Sequence, residues 1–199
     1  MEIAPAPPPG FRAHAFEQTD HVPHPREAVW VWLNDPATFV EGQVPPFRVE
    51  FVAPDGTPGD FREGVFTAHH GPGMLFAGVL GEQRDPAPGQ TAYRDLRYGY
   101  GSYALSLRLA RPVRLQFWAD EAGPEATTVR VRLDAHVAAA FVPAWTAAMR
   151  VFWGGFGRAL DRQVAQRARG AAPSRWRLRP TMALAGAALA GGLALGLRR

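Results

Sequence analysis

The side chains equipped for chemistry are six histidines, one aspartate set among arginines and tyrosines, and two serines. His69 and His70 are adjacent in an extended stretch, so their rings point to opposite faces of a strand and cannot share a metal without a bulge. His136 sits on the polar phase of a later strand, and His14, His21 and His24 lie near the N-terminal turn. His21 and His24 can pair in principle, but no carboxylate at matching spacing completes a metal site, so none is expected. Asp95, with Arg94 and Arg97 and beside Tyr98, Tyr100 and Tyr103, forms the most polar-aromatic stretch. A buried acid or tyrosine there can shuttle a proton. The plainer reading is a surface strand with arginine–aromatic stacking. Ser102 and Ser106 belong to no nucleophile elbow and have no matched histidine, which argues against a hydrolase.

Composition narrows the field further. The chain of 199 residues contains no cysteine, which removes disulfides, thiolate nucleophiles and cysteine-ligated zinc. All 22 basic residues are arginine, so a Schiff-base lysine and a phosphate-cradling Walker lysine are also excluded. Residues 1–170 hold 17 arginines and all 18 acids, a net of −1, whereas residues 171–199 hold five arginines and no acid. The basicity therefore belongs to the tail. A near-neutral body argues against nucleic-acid binding, which needs a basic face on the folded part.

Hydrophobic periodicity supplies the elements that must position these residues. Residues 1–10 are proline-rich, with neither a basic start nor an apolar core, and read as a flexible extension and not a secretion signal. A strand over Arg12–Val22 leads to a short helix, Pro25–Leu33, with Pro25 in its first turn and Val29, Trp30 and Leu33 on one face. Asn34-Asp35-Pro36 stops it and opens a second short helix, Pro36–Val40.

From Pro45 the period becomes two. Phe47, Val49 and Phe51 alternate with Arg48 and Glu50; strands are then expected at Phe61–His69, Met74–Glu82 and Thr91–Tyr98, followed by a break at Gly99-Tyr100-Gly101. Leu105, Leu107 and Leu109 form the next alternating set, and Val113, Leu115 and Phe117 another beyond Pro112. The last strand is the clearest, with Val129, Val131, Leu133, Ala135 and Val137 on one face. An antiparallel sheet with one wet face follows.

The period then turns helical. Phe141, Trp145, Met149, Phe152, Phe156, Leu160 and Val164 recur at three- and four-residue steps, one apolar stripe on a rod of about seven turns. Gly154, Gly155 and Gly157 interrupt it, each costing about 1 kcal/mol relative to alanine, so close packing, a kink or room for a ligand is expected there. A curved sheet must bury its dry face, and this rod is the large apolar partner available.

Pro25-Arg-Glu-Ala-Val-Trp30 with Asn34-Asp-Pro36, Phe61-Arg-Glu-Gly64 and Thr127-Thr-Val129, taken in this element order, resemble the START-like (SRPBCC) superfamily of lipid-transfer domains, pathogenesis-related allergens and polyketide cyclases. The resemblance covers residues 11–170. It implies an α+β helix-grip fold, with about seven antiparallel strands wrapped on a long C-terminal helix and two short helices after the first strand. Pro112 is the departure, since it can split the sixth strand and give eight.

The resemblance also implies a cavity between sheet and helix that binds a hydrophobic small molecule or lipid. Phe76, Tyr98, Leu107, Phe117, Met149, Phe152 and Phe156 are its candidate lining, against the plainer reading that each is core. No catalytic residue and no cofactor are implied. A cyclase or dehydratase of the same fold, or a partner-binding or stress-response module, are the alternatives.

Residues 171–199 form a basic linker and an apolar tail. The sixteen uncharged residues Met182–Leu197 fall slightly short of a ~30 Å hydrocarbon core, with Trp176 and the flanking arginines suited to the interface. A membrane anchor at 181–197 is expected. The three arginines of 175–179 against two at the end would keep the body in the cytoplasm, at the inner membrane.

Overall fold

The computed structural model describes residues 6–40, 48–57, 59–71, 73–103 and 108–171. Seven strands form one antiparallel sheet: β1 (Phe11–Val22), β2 (Arg48–Val52), β3 (Phe66–Gly71), β4 (Met74–Arg84), β5 (Ala92–Tyr103), β6 (Ala110–Gly123) and β7 (Ala126–Ala138). Their spatial order is β1-β7-β6-β5-β4-β3-β2, so the first strand pairs with the last, Phe11 opposite Ala138 and Val22 opposite Thr127. Helices α1 (Arg26–Leu33) and α2 (Pro36–Val40) follow β1. The C-terminal helical span consists of α3 (Val142–Trp153) and α4 (Phe156–Ala168).

Alternation along the strands gives the sheet two unlike faces. On β7, Thr127, Val129, Val131, Leu133, Ala135 and Val137 are buried in phase, and their partners Ala119, Phe117 and Leu115 on β6 continue that dry face. The helices cover it selectively. α3 packs on β1 and β7, α4 on β1 and α1, α1 on β6 and β7, and α2 on β2. Tryptophan and phenylalanine rings fill the contact, with Trp32, Phe117, Trp153 and Phe156 meeting at 5.4–6.4 Å between centroids.

The long C-terminal helical span over 139–168 is present as expected, and five details are corrected. The C-terminal rod is not continuous: Gly154 ends α3 and Gly155 precedes α4, because two successive residues without side chains give the helix little reason to persist. The buried stripe runs Trp145, Met149, Trp153, Phe156, Leu160 and Val164, so Trp153 takes the place given to Phe152, which stands 46 % exposed. Two four-residue steps from Trp145 bring residue 153 inward, and the break resets the phase at 156. Next, Pro112 does not split β6. A register shift between Pro112 and Arg114 absorbs the missing donor as a bulge, leaving seven strands among the described residues.

Similarly, Gly99-Tyr100-Gly101 does not end β5. The shift between Ala77 and Gly78 takes up one extra residue, and Gly101 sits at φ +110 where a Cβ would strike Leu75 and Phe76 of β4. The stretch expected to begin a strand at Phe61 turns instead, with Gly64 at φ +86, and pairing starts at Phe66. Phe47, the Leu105–Leu107 part of the alternating set and the 181–197 tail lie outside the described residues.

Gly157 marks a close approach of α4 to β1. A Cβ there would sit 2.5 Å from Asp20 Oδ1 and 2.6 Å from Asp20 Cβ, whereas a Cβ on Gly155 meets nothing within 4 Å. Gly157→Ala is therefore expected to destabilise by about 1–3 kcal/mol despite its better helix propensity. Gly155→Ala should stay within about 1 kcal/mol of the parent. Urea denaturation of both variants checks this; equal shifts would refute the close-contact account.

Candidate functional site

Strand β5 divides the polar-aromatic stretch between the two faces of the sheet. Arg94 pairs with Phe117 and Leu96 with Leu115, which puts Arg94, Leu96 and Tyr98 on the inner, helix-facing side. Tyr93, Asp95 and Arg97 face out. Asp95 is fully buried there all the same: its Oδ2 accepts from Arg97 Nε at 3.1 Å, Arg114 Nε at 2.5 Å and Tyr93 OH at 3.3 Å. Gly81 of β4 leaves the room its carboxylate occupies. Desolvation, and then Asp95, pushes the Tyr93 phenol up to about 12. The network continues through Gln116, which takes Tyr93 OH and donates to Asp134, itself bonded by Arg132. Asp95 is thus a counter-ion on the face opposite the helices and cannot reach a ligand held beneath them.

The inner face carries a different set. His69 stacks on Phe76 at 4.8 Å, and Tyr98 meets both rings edge-on at 5.5 and 5.1 Å. His69 Nε2 lies 3.2 Å from Thr67 Oγ1 and 3.4 Å from Tyr98 OH. Burial, followed by the neighbouring His70, drives the His69 imidazole down to about 3, so it is neutral at physiological pH. Part of its surface is nevertheless open.

Further along the same face lies Arg94, only 3 % exposed. Its Nη1 donates to Leu33 O at 2.5 Å and to Asn34 Oδ1 at 3.2 Å, at the C-terminal end of α1 where a helix favours a cation. The guanidinium lies 3.7 Å from the Phe61 ring centroid, with Phe39 at 5.8 Å and Phe117 at 6.0 Å. Desolvation lowers it to about 9, opposed by Tyr98 and Asp95, so the charge persists at neutral pH.

The expected lining residues thus fall into two groups. Phe76 and Tyr98 join His69. Phe117 and Phe156 meet at 6.2 Å, with Trp153 against both, and Met149 is buried on α3. Phe152 points away, its ring edge-on to Trp153 at 5.2 Å, and Leu107 lies outside the described residues. Arg94, His69 and Trp153 also lie on or against this inner face without having been expected there, although Arg94 is in phase with Leu96 and Tyr98. The remaining histidines are dispersed: His14 to Thr146, His21 to Thr128, His24 to Asp161 and His70 toward Glu50, with His136 lowered by burial and then Arg111. No cluster able to hold a metal occurs among the described residues.

No protein-family model and no curated protein matches the sequence. Solved structures do match. Norcoclaurine synthase from Thalictrum flavum, in complex with dopamine and hydroxybenzaldehyde, superposes with a TM-score of 0.52 at 12 % identity, covering 79 % of this chain and 89 % of that one. Zhui aromatase/cyclase from a Streptomyces species gives 0.52 at 15 % identity, over 79 % and 97 %. The chain has the START-like, helix-grip fold. A START superfamily protein from Mycobacterium smegmatis is also similar, at 0.49 and 17 % identity over 77 % and 99 %. Within the helix-grip frame, the inner face of β3–β5 is the candidate ligand surface and the Asp95 network lies outside it.

The desolvated His69 gives this site a pH signature. An imidazole at about 3 in the folded chain and 6.5 when unfolded binds fewer protons folded, so its contribution is complete above 6.5 and is lost as pH falls through that window. The slope cannot exceed about 1.4 kcal/mol per pH unit. His69→Gln is expected to flatten the dependence of Tm between pH 7 and 5; an unchanged slope would show that His69 is solvated.

Proposed function

We propose that this chain binds a hydrophobic small molecule or lipid between the inner face of its sheet and the C-terminal helices. One observation carries the reading. α3 and α4 pack on β1, and α3 also on β7, while α1 and α2 meet the inner face of β5 around Arg94, and His69 of β3 keeps part of its surface open beside the buried rings of Phe76 and Tyr98. The lining is aromatic, with few polar groups, as in small-molecule sites generally. Phe76, Tyr98, Phe117, Met149 and Phe156 are its proposed walls, with Leu107 added from the sequence alone; Phe152 is left out.

A cyclase or dehydratase reading loses Asp95 and retains only His69 beside the Tyr98 hydroxyl. An imidazole at about 3 is a weak base, so binding is preferred to catalysis. Native mass spectrometry of the purified chain, before and after exposure to a lipid extract, tests the reading. Retained mass in the lipid range is expected; protein that stays empty in both would overturn it.

The tail adds a proposed location. Among the described residues no helix is long and apolar enough to cross a membrane, and 181–197 lie outside them. Sixteen uncharged residues span about 24 Å as a helix, enough to enter a bilayer with arginines drawn to each surface. We place the body on the cytoplasmic side, close to where such ligands dissolve. Cell fractionation should send the full chain to membranes and a chain cut after Gly170 to the soluble pool; identical partitioning would exclude the anchor.

A further inference from the structure

Among the described residues two arginines, Arg26 and Arg94, are almost wholly buried, and they are compensated differently. Arg26 has Glu27 at 3.2 Å and Glu121 at 3.9 Å. Arg94 has no carboxylate partner among the described residues; its bonds go to two neutral oxygens. Both leave from Nη1, whose two hydrogens they use. The three N–H groups on Nε and Nη2, the edge that fits a carboxylate bidentately, have no partner among the described residues. Trp153, its ring 6.4 Å from that of Phe117, is also buried, and its Nε1 has no hydrogen-bond partner among the described residues. A buried cation and a buried donor near one ring, each with N–H groups lacking an acceptor among the described residues, are costly to keep out of water.

We infer that the ligand is an apolar monocarboxylate whose carboxylate sits on the Nε–Nη2 edge of Arg94, with its body lying along Leu96 and Tyr98 toward Phe76 and His69. This rests on the binding role proposed above and names its substrate class. One charge is what the space balances. Among the described residues Arg94 is the cation on this face and His69 is neutral, so a monoanion is compensated while a dianionic phosphate carries one charge too many into a site walled by Phe39, Phe61 and Phe117. An ordinary structural role for Arg94, holding the end of α1 through Leu33 O, predicts no dependence of binding on the ligand's head group.

The test measures affinities of laurate, methyl laurate and dodecanol for the full chain, its Arg94→Gln form and its Arg94→Lys form. The parent should bind laurate at least ~10-fold tighter than the two neutral analogues, the scale of one charge-assisted bond of about 1.5 kcal/mol or more. Arg94→Gln should erase that ratio while changing dodecanol by less than ~3-fold, and Arg94→Lys should restore part of it. Because the parent's ratio needs no variant, the inference stays testable if Arg94→Gln does not fold. Equal affinities in the parent, or a preference that survives Arg94→Gln, would overturn the carboxylate and leave hydrophobic binding standing. A neutral lipid retained from an extract while laurate is ignored would do the same. Uptake of nothing at all would end both readings.

Discussion

A seven-stranded sheet with one dry face must cover that face, and here the helices cover only part of it. α3 and α4 lie along β1 and β7, α1 along β6 and β7, and α2 near β2. Everything proposed for the inner surface follows from this unequal coverage.

The outer face handles its polar groups in another way. Asp95 is buried by its own partners, two arginines and a tyrosine, over a glycine that gives its carboxylate room. Arg130 lies 4.2 Å from Trp118 and Arg84 lies 4.8 Å from Tyr93, so arginine stems and rings shield one another across β4–β7. This is a self-contained lattice on the wet side. The contrast with Arg94, one residue away on the same strand, is the plainest sign that the two faces serve different ends.

How far this could be read from the chain depends on how local the cause is. β7 was legible from a clean period and α2 from a proline at a helix start, neither of which needs a tertiary partner, whereas β1 has mixed faces and was bounded only by the prolines that follow it. The three glycines were visible, but which helical residue turns inward after a break depends on where the chain resumes, so Phe152 and Trp153 exchanged places. Asp95 was read as a possible proton carrier because charge and aromatic side chains crowd β5 and mask its two-residue alternation. Arg94 was hidden for another reason. An arginine on a strand reads as surface, and only Leu33 O from α1 and the Phe61 ring from the turn before β3 make it interior.

The pairing of β1 with β7 also governs how the chain can be built. Phe11 finds its ladder partner in Ala138, so the first strand synthesised waits for the last before it has a neighbour. Both α3 and α4 rest on β1, and neither has a seat until that closure is made. Long-range antiparallel closure is slow and leaves hydrophobic edges open meanwhile. During synthesis the N-terminal strand therefore stays without its ladder partner until residues 126–138 have been made.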